Sequence, residues 1–322
     1  MTSLPSYEHL PVDPSKPKGS SWGVWGDDDV FGCLNLLTPE RVVAAAAGIR
    51  KGAVFALNLE AELPDPPLFG RARFEHIVTD SRSGHDDLLS NWNTQSSSQW
   101  DSFRHVRHGA HGHYGGVADE AHGIHHWARR GLAGRGVLVD VARWRESVGR
   151  PLECGAADPI DAADLVSTLE AQHTTMEPGD VLLVRTGWTA WYRALRPSAR
   201  AEMANGHANC GLRPGEEMLR TLWDWHVAAV ASDNPSLEVW PPGALLDPEQ
   251  VQELRNDPER SPEVFMHFAL LPLLGIPIGE LWNLDPLADD CAADGVYTFL
   301  LTSAPLNVEA GVASPPNALA IK

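Results

Sequence analysis

Three short apolar runs set the limits on what this chain can fold into. Gly136-Val-Leu-Val-Asp-Val141, Gly179-Asp-Val-Leu-Leu-Val184 and Val227-Ala-Ala-Val-Ala231 read as buried strands, because short continuous apolar runs with β-branched residues suit a sheet covered on both faces. Helical patterns lie between and around them. Asp158 to Gln172 carries Ala162, Leu165 and Leu169 at helical spacing, and Glu216 to His226 reads the same way. Thr38-Pro39-Glu40-Arg41 opens a helix, since Thr caps, Pro fits the first turn and Glu suits its positive end. Val42 to Ile49 continues it, and Gly52 is the stop. Val54 to Leu59 and Val296 to Thr302 read as strands, Leu63 to Arg71 as a Pro-rich loop, and Val264 to Leu274 as an apolar helix. Helices alternating with apolar strands predict an α/β fold with a largely buried sheet.

At 322 residues the length allows one large domain or two medium ones. No linker composition interrupts it, so the expected organisation is an extended Pro/Ser/Lys-rich arm over residues 1–20 and one domain over 21–322. The hydrophobic share of 43% supplies a sizeable core. The net charge of -18 argues against nucleic acid or an anionic membrane as a partner, because phosphate needs a Lys/Arg surface. No apolar run reaches the ~18 residues of a membrane span, and the N-terminus lacks the apolar core of a secretory signal. Cys33, Cys154, Cys210 and Cys291 are scattered, without a CxxC pair. A reduced, cytoplasmic protein is the simplest expectation.

Four constellations carry chemistry. Gln95-Ser-Ser-Ser-Gln99-Trp-Asp101-Ser-Phe-Arg-His105 packs amides, hydroxyls, a carboxylate and an imidazole into one segment. Hard cations accept carboxylate and amide oxygens, and imidazole suits Zn, Mn or Fe; the plainer reading is a polar loop with a capping Asp. Half of the 14 histidines fall between His105 and His126. Such a tract can bind metal, but it has no HExxH or CxxC, and the plainer reading is a solvated loop over a cleft. Ser232-Asp233-Asn-Pro-Ser236 follows the Val227 to Ala231 strand, at the strand end where α/β folds put ligands; an Asx turn is the alternative. Finally, His267 and Glu280 sit in the apolar run VFMHFALLPLLGIPIGELWNL. A carboxylate there needs a cation or hydrogen-bond donors. No GxGxxG or GxxxxGK[ST] is present.

Taken together, these stretches resemble the cyclase family of metal-dependent hydrolases, the group that includes bacterial kynurenine formamidase and isatin hydrolase. Trp22-Gly-Val-Trp-Gly-Asp-Asp-Asp-Val-Phe-Gly-Cys-Leu-Asn-Leu-Leu-Thr-Pro-Glu40 is similar to the N-terminal signature of its longer bacterial branch. Gln99-Trp-Asp101-x-x-x-His105-Val matches that branch's QWDxxxHV, and Gly134-Arg-Gly-Val-Leu-Val-Asp140 its GRGVLLD strand. Ser232-Asp233 and His267…Glu280 fall where the family places later functional residues. The likeness runs over residues 20–305. It implies the kynurenine-formamidase-like α/β fold, a compact β-structure flanked by helices.

The family motif is HxGTHxDxxxH, whose first two His and Asp bind a divalent cation and whose last His is the acid/base. Carried across, Asp101 matches the carboxylate ligand, His105 the acid/base, and His267 with Glu280 the later pair. Gln99 and Gln95 stand where the family has its two leading His, and Ser97 and Ser98 replace Gly-Thr. Amide oxygens are weaker donors to Zn2+ than imidazoles, which favours harder ions. The resemblance therefore implies one divalent metal, Mn or Zn, held by Asp101, His267 and Glu280 with Gln99 and Gln95. Trp100, Ser98, His113, Tyr114 and Asp233 are the expected substrate contacts, with Trp92, Trp100, Tyr114 and Trp127 as walls for a flat substrate. The activity implied is hydrolysis of a small-molecule amide, cyclic amide or lactone by metal-activated water, in a homodimer or homotetramer. Two other readings stand beside it: a metal-poor cyclase, dehydratase or isomerase using the same pocket, and a non-catalytic member that binds a small ligand.

Overall fold

A computed structural model describes residues 4–322, the side chain of Arg255 apart; positions 1–3 of the expected arm lie outside the described residues. The strands are β1 (Val54–Ala56), β2 (Glu75–Asp80), β3 (His85–Ser90), β4 (Gln99–Asp101), β5 (Leu132–Asp140), β6 (Pro159–Ile160), β7 (Val181–Arg185), β8 (Gly211–Leu212), β9 (Ala229–Ser232), β10 (Ile278–Glu280), β11 (Thr298–Ser303), β12 (Ala313–Ser314) and β13 (Ala318–Ile321). Nine of them form one mixed sheet, in the order β1-β13-β11-β5-β7-β9-β10-β4-β12.

The three apolar runs of the sequence are the sheet's centre. β5, β7 and β9 pair in parallel, and β10 joins β9 in parallel. Residues 137–139, 181–184 and 229–231 are fully buried, as expected of strands covered on both faces. Helices Val141–Ser147, Ala162–Ala171 and Glu216–Asp224 make the connections between them. The remaining strands of this sheet add antiparallel on either side.

Several boundaries shift for local reasons. The expected strand Val54 to Leu59 keeps only Val54–Ala56, and Asn58 then bridges to Trp282. The helix expected from Asp158 begins at Ala162, because Asp161 and Asp164 close a capping box there and residues 159–160 pair with β8 instead. The first helix stops at Ala47, with Gly48 as its cap, rather than at Gly52. The expected helix Val264 to Leu274 is broken. A single turn, His267–Ala269, passes into a π-turn over Leu270–Leu274. Pro272 has no N–H to continue an α-helix and its ring crowds the preceding turn, and Gly275, at φ +63°, reverses the chain.

The N-terminal segment contains a 3₁₀ turn, Tyr7–His9, and lies on helix Glu216–Asp224. Trp223 Nε1 donates to Pro5 O at 2.8 Å and the Tyr7 N–H to Asp224 at 2.7 Å. β2 and β3 form a hairpin that the sequence pattern does not announce. Both strands are exposed over most of their length, Val78 at 57% and Leu88 at 52%. Among the described residues no helix is long and apolar enough to cross a membrane.

Candidate metal centre

The site is built where β4 and β10 run antiparallel. Gln99 lies opposite Glu280, Trp100 opposite Gly279, and Asp101 opposite Ile278. Side chains alternate along a strand, so Gln99, Asp101 and Glu280 share one face, while Trp100 turns to the other. On that far face Trp100 packs edge-on to Trp282 with ring centres 4.8 Å apart. Gly279 has no room for a side chain: a Cβ would sit 2.6 Å from Ala231 Cβ and 2.8 Å from Trp282 Nε1. The broken helix at 267–274 delivers His267 onto the near face.

One metal-capable atom from each of Asp101, His267 and Glu280 lies within 4.8 Å of the others, and all three residues are buried. His267 Nε2 faces Glu280 Oε1 at 3.2 Å. Its Nδ1 faces Glu238 Oε1 at 2.6 Å, and Glu238 also accepts from the backbone N–H groups of Met266 and His267. Phe265 stacks on the same imidazole, 4.2 Å between centres and 2° from parallel. This is the imidazole–carboxylate pairing that fixes a metal-binding histidine's orientation. Burial pulls the His267 pKa down, but its bonds to Glu238 and Glu280 outweigh burial and push it up to about 10. Burial, reinforced by the charge of Asp101, raises Glu280 to about 7.

The two glutamines divide. Gln99 is fully buried; its Nε2 donates to Glu280 and, at 3.4 Å, to Asp101. Its Oε1 has no hydrogen-bond partner among the described residues. A buried carbonyl oxygen without a donor, beside two carboxylates and an imidazole nitrogen, is a donor set that a divalent cation fits. Gln95 turns its amide nitrogen inward instead, donating to Asp101 Oδ1 at 2.7 Å and lying 3.1 Å from His105 Nδ1. In this arrangement it holds the carboxylate and the imidazole together and offers no ligand oxygen, which corrects its expected role. His105 stands beside the cluster, its ring 6.5 Å from that of His267. Burial lowers its pKa, so it is a neutral base near pH 7.

The structure does not bring the expected substrate contacts to this cluster. Trp100 is on the opposite face and donates to Ser303. Ser98 Oγ donates to the Leu281 carbonyl and accepts from the Leu59 N–H. Ser96 and Ser97 are likewise occupied by the carbonyls of Asn93 and Glu60, so these hydroxyls are not free oxyanion donors. His113 Nδ1 bonds Phe103 O, and Tyr114 is a core residue against Phe103 whose hydroxyl donates to Asp29. Trp127 is buried, with Nε1 on Val30 O. Asp233 is fully buried and accepts from Thr186 N, Thr186 Oγ1 and Gly187 N, which ties the ends of β7 and β9 together. Trp92 does line a cavity, with Leu59, Leu89, Ser97, Ser98 and Pro315.

Two residues escaped the sequence reading. Glu238 carries the same signal as Glu280, a carboxylate between buried Leu237 and Val239. Arg71 ends the Pro-rich loop and donates to the Gln95 carbonyl. Its positive charge bears on both His105 and Glu280, lowering each.

Residues 35–239 match the family model of putative cyclases. The chain belongs to the putative cyclase family. The matched stretch holds β4, His105 and Glu238, and ends before His267 and Glu280. A crystal structure described as a novel cyclase is 32% identical, covers 95% of this chain and 100% of its own, and superposes with a TM-score of 0.79. Isatin hydrolase A from Labrenzia aggregata, bound to benzyl benzoate, is 18% identical over 88% of this chain and 98% of its own, at TM-score 0.55. Isatin hydrolase A from Ralstonia solanacearum is 17% identical over 88% and 97%, also at 0.55. At these identities the two hydrolases show the shared fold alone. No curated protein matches the chain.

Proposed function

We propose that this chain is a metal-dependent hydrolase of a small-molecule amide, cyclic amide or lactone. The observation that carries the reading is the convergence of Asp101, His267 and Glu280 within 4.8 Å, with Glu238 behind the imidazole and His105 beside it. A divalent cation, Mn or Zn, held by Asp101, His267 and Glu280 with the oxygen of Gln99 would supply carbonyl polarisation and a more acidic water. His105, neutral and tied to Asp101 through Gln95, takes the proton from the attacking water and returns it to the leaving nitrogen or oxygen. Arg71 adds positive charge where a carboxylate product forms. Glu238 holds the His267 ring in register.

The test is metal content by mass spectrometry, with turnover of an amide and lactone panel, for the wild type beside Asp101→Asn and Glu280→Gln. The expected result is metal-dependent hydrolysis and an equivalent of Mn or Zn that depends on Asp101 and Glu280, so that the variants lose the activity and hold one equivalent less than the wild type. A wild type that binds neither ion after dialysis against each rejects the reading. The second reading, a cyclase, dehydratase or isomerase, is favoured by one observation: His267 already has anionic partners on both ring nitrogens. Product mass separates the two, because hydrolysis adds one water and isomerisation adds nothing.

The reading extends to assembly and location. The exposed β2–β3 hairpin, with Ile77 and Leu88 cross-strand partners on one face, supports a homodimer or homotetramer. Light scattering that finds a monomer at micromolar concentration rejects this. Four free, buried thiols support a cytoplasmic protein.

A further inference from the structure

The histidine run after β4 splits, and part of it forms a second cluster apart from the first. His108 and Gly112 exchange both backbone hydrogen bonds, 2.8 and 2.9 Å, and so close a tight hairpin. Gly112 sits at φ +80°, which suits glycine at this turn. The hairpin stacks the His108 and His111 rings, 4.8 Å between centres and 16° from parallel. Its tip lies against the segment that precedes His267: a Cβ on Gly109 would meet Pro258 Cβ at 3.0 Å. From that segment Glu259 reaches back, its carboxylate 2.9 Å from His111 Nε2. One ligand atom from each of His108, His111 and Glu259 lies within 4.8 Å of the others.

An independent observation points to a ligand. His108 is 1% exposed, and its Nε2 has no hydrogen-bond partner among the described residues. Its Nδ1 has only the Ala110 N–H, a long contact at 3.3 Å. A buried ring nitrogen without a partner is costly, and a cation would satisfy it at the expense of that long contact.

We propose that His108, His111 and Glu259 form a second divalent-metal site, suited to Zn2+. Two imidazoles and one carboxylate are a zinc donor set with a fourth position left for water. The ion would clip the hairpin that follows His105 to the segment that leads into His267. It would thus brace both sides of the first cluster without belonging to it.

The test uses full-length Glu280→Gln protein, in which the first cluster is crippled, so the outcome is independent of the hydrolase reading. Zn2+ is titrated by calorimetry, and Co2+ by its visible d–d absorption. The expected result is one equivalent bound, weakened at least tenfold by adding His111→Ala or Glu259→Gln. Adding His113→Ala, a neighbour in the run whose Nδ1 bonds Phe103 O, leaves it unchanged. Glu259 is exposed and His111 is half-buried, and circular dichroism checks that their variants fold. Absence of bound Zn2+ in the Glu280→Gln protein, or equal affinity with and without His111, overturns the proposal.

Discussion

Glu238→Gln tests how much of the centre depends on one buried carboxylate. Three N–H groups converge on it, from Met266 and His267 of the backbone and from the His267 ring. A glutamine has the same shape but only one acceptor oxygen. Placed where Oε1 was, that oxygen keeps both His267 contacts, and the new NH2 group then faces the Met266 N–H. Leaving that buried donor unsatisfied costs about 1–3 kcal/mol. The His267 bond also changes from an ion pair to a hydrogen bond with a neutral acceptor, a loss of about 1 kcal/mol. The metal-free protein should therefore lose about 2–4 kcal/mol of unfolding free energy by these terms. Metal affinity should fall about 10–100-fold, as when the carboxylate behind a ligating histidine is changed. Urea denaturation of the metal-free variant reads the first effect, and chelator competition reads the second. A variant within about 0.5 kcal/mol of the wild type, the range of an ordinary surface change, that also kept its metal affinity would refute the reasoning.

Gly279→Ala drives a methyl group into Ala231 and Trp282. It should cost about 1–3 kcal/mol as overpacking and weaken metal binding by displacing Glu280; calorimetric melting and metal content check both. Partial desolvation raises the carboxyl of the exposed Asp294, but hydrogen bonds from Lys51 and Lys322 outweigh it and hold the group well below the usual carboxylate range. A depressed folded pKa gives stability that is present above about pH 4, the unfolded value, and is lost as pH falls below it. Asp294→Asn should thus lower stability by about 1 kcal/mol at pH 7 and by progressively less below pH 4, read from melts across that range. Arg71→Gln should lower kcat/KM about tenfold or more for an amide or lactone that yields a carboxylate, while metal content stays at the wild-type level. Unchanged kinetics would remove Arg71 from the site.

The residues of the first cluster were legible one at a time, but their geometry was not. His267 and Glu280 stand out because charge in an apolar run demands a partner, Asp101 because it shares a polar segment with His105, and Gln99 because the family resemblance implies an imidazole at its position. What joins them is the β4–β10 pairing, in which Gln99 and Glu280 meet across 181 positions of chain. The residue order QWD contains this information only if it is known to be a strand: period-two alternation then puts Gln99 and Asp101 on one face and Trp100 on the other. Read as a loop, the same three residues made Trp100 a substrate wall. The β5, β7 and β9 runs were plain because continuous burial leaves a continuous apolar signature. The hairpin Glu75–Ser90 was not, since both of its faces are largely wet.

The segment from 264 to 280 shows why apolarity alone misplaces a site. The composition of Val264 to Leu274 reads as one helix, and a straight helix there would leave His267 a core histidine satisfied by its neighbours. Pro272 prevents that helix, and Gly275 turns the chain into β10 within a few residues. The break puts His267 and Glu280 on two elements that meet, with Glu238 from the loop after β9 closing the far side of the ring. A proline in an apolar run that also carries a histidine and a carboxylate is therefore evidence for a site. Continuous helical structure would string those groups along one axis, whereas the break folds them onto each other. By the same reasoning Glu238, a carboxylate between two buried apolar residues, belonged with Glu280 from the start. The two share the His267 imidazole, and each needs it to be tolerable in the interior.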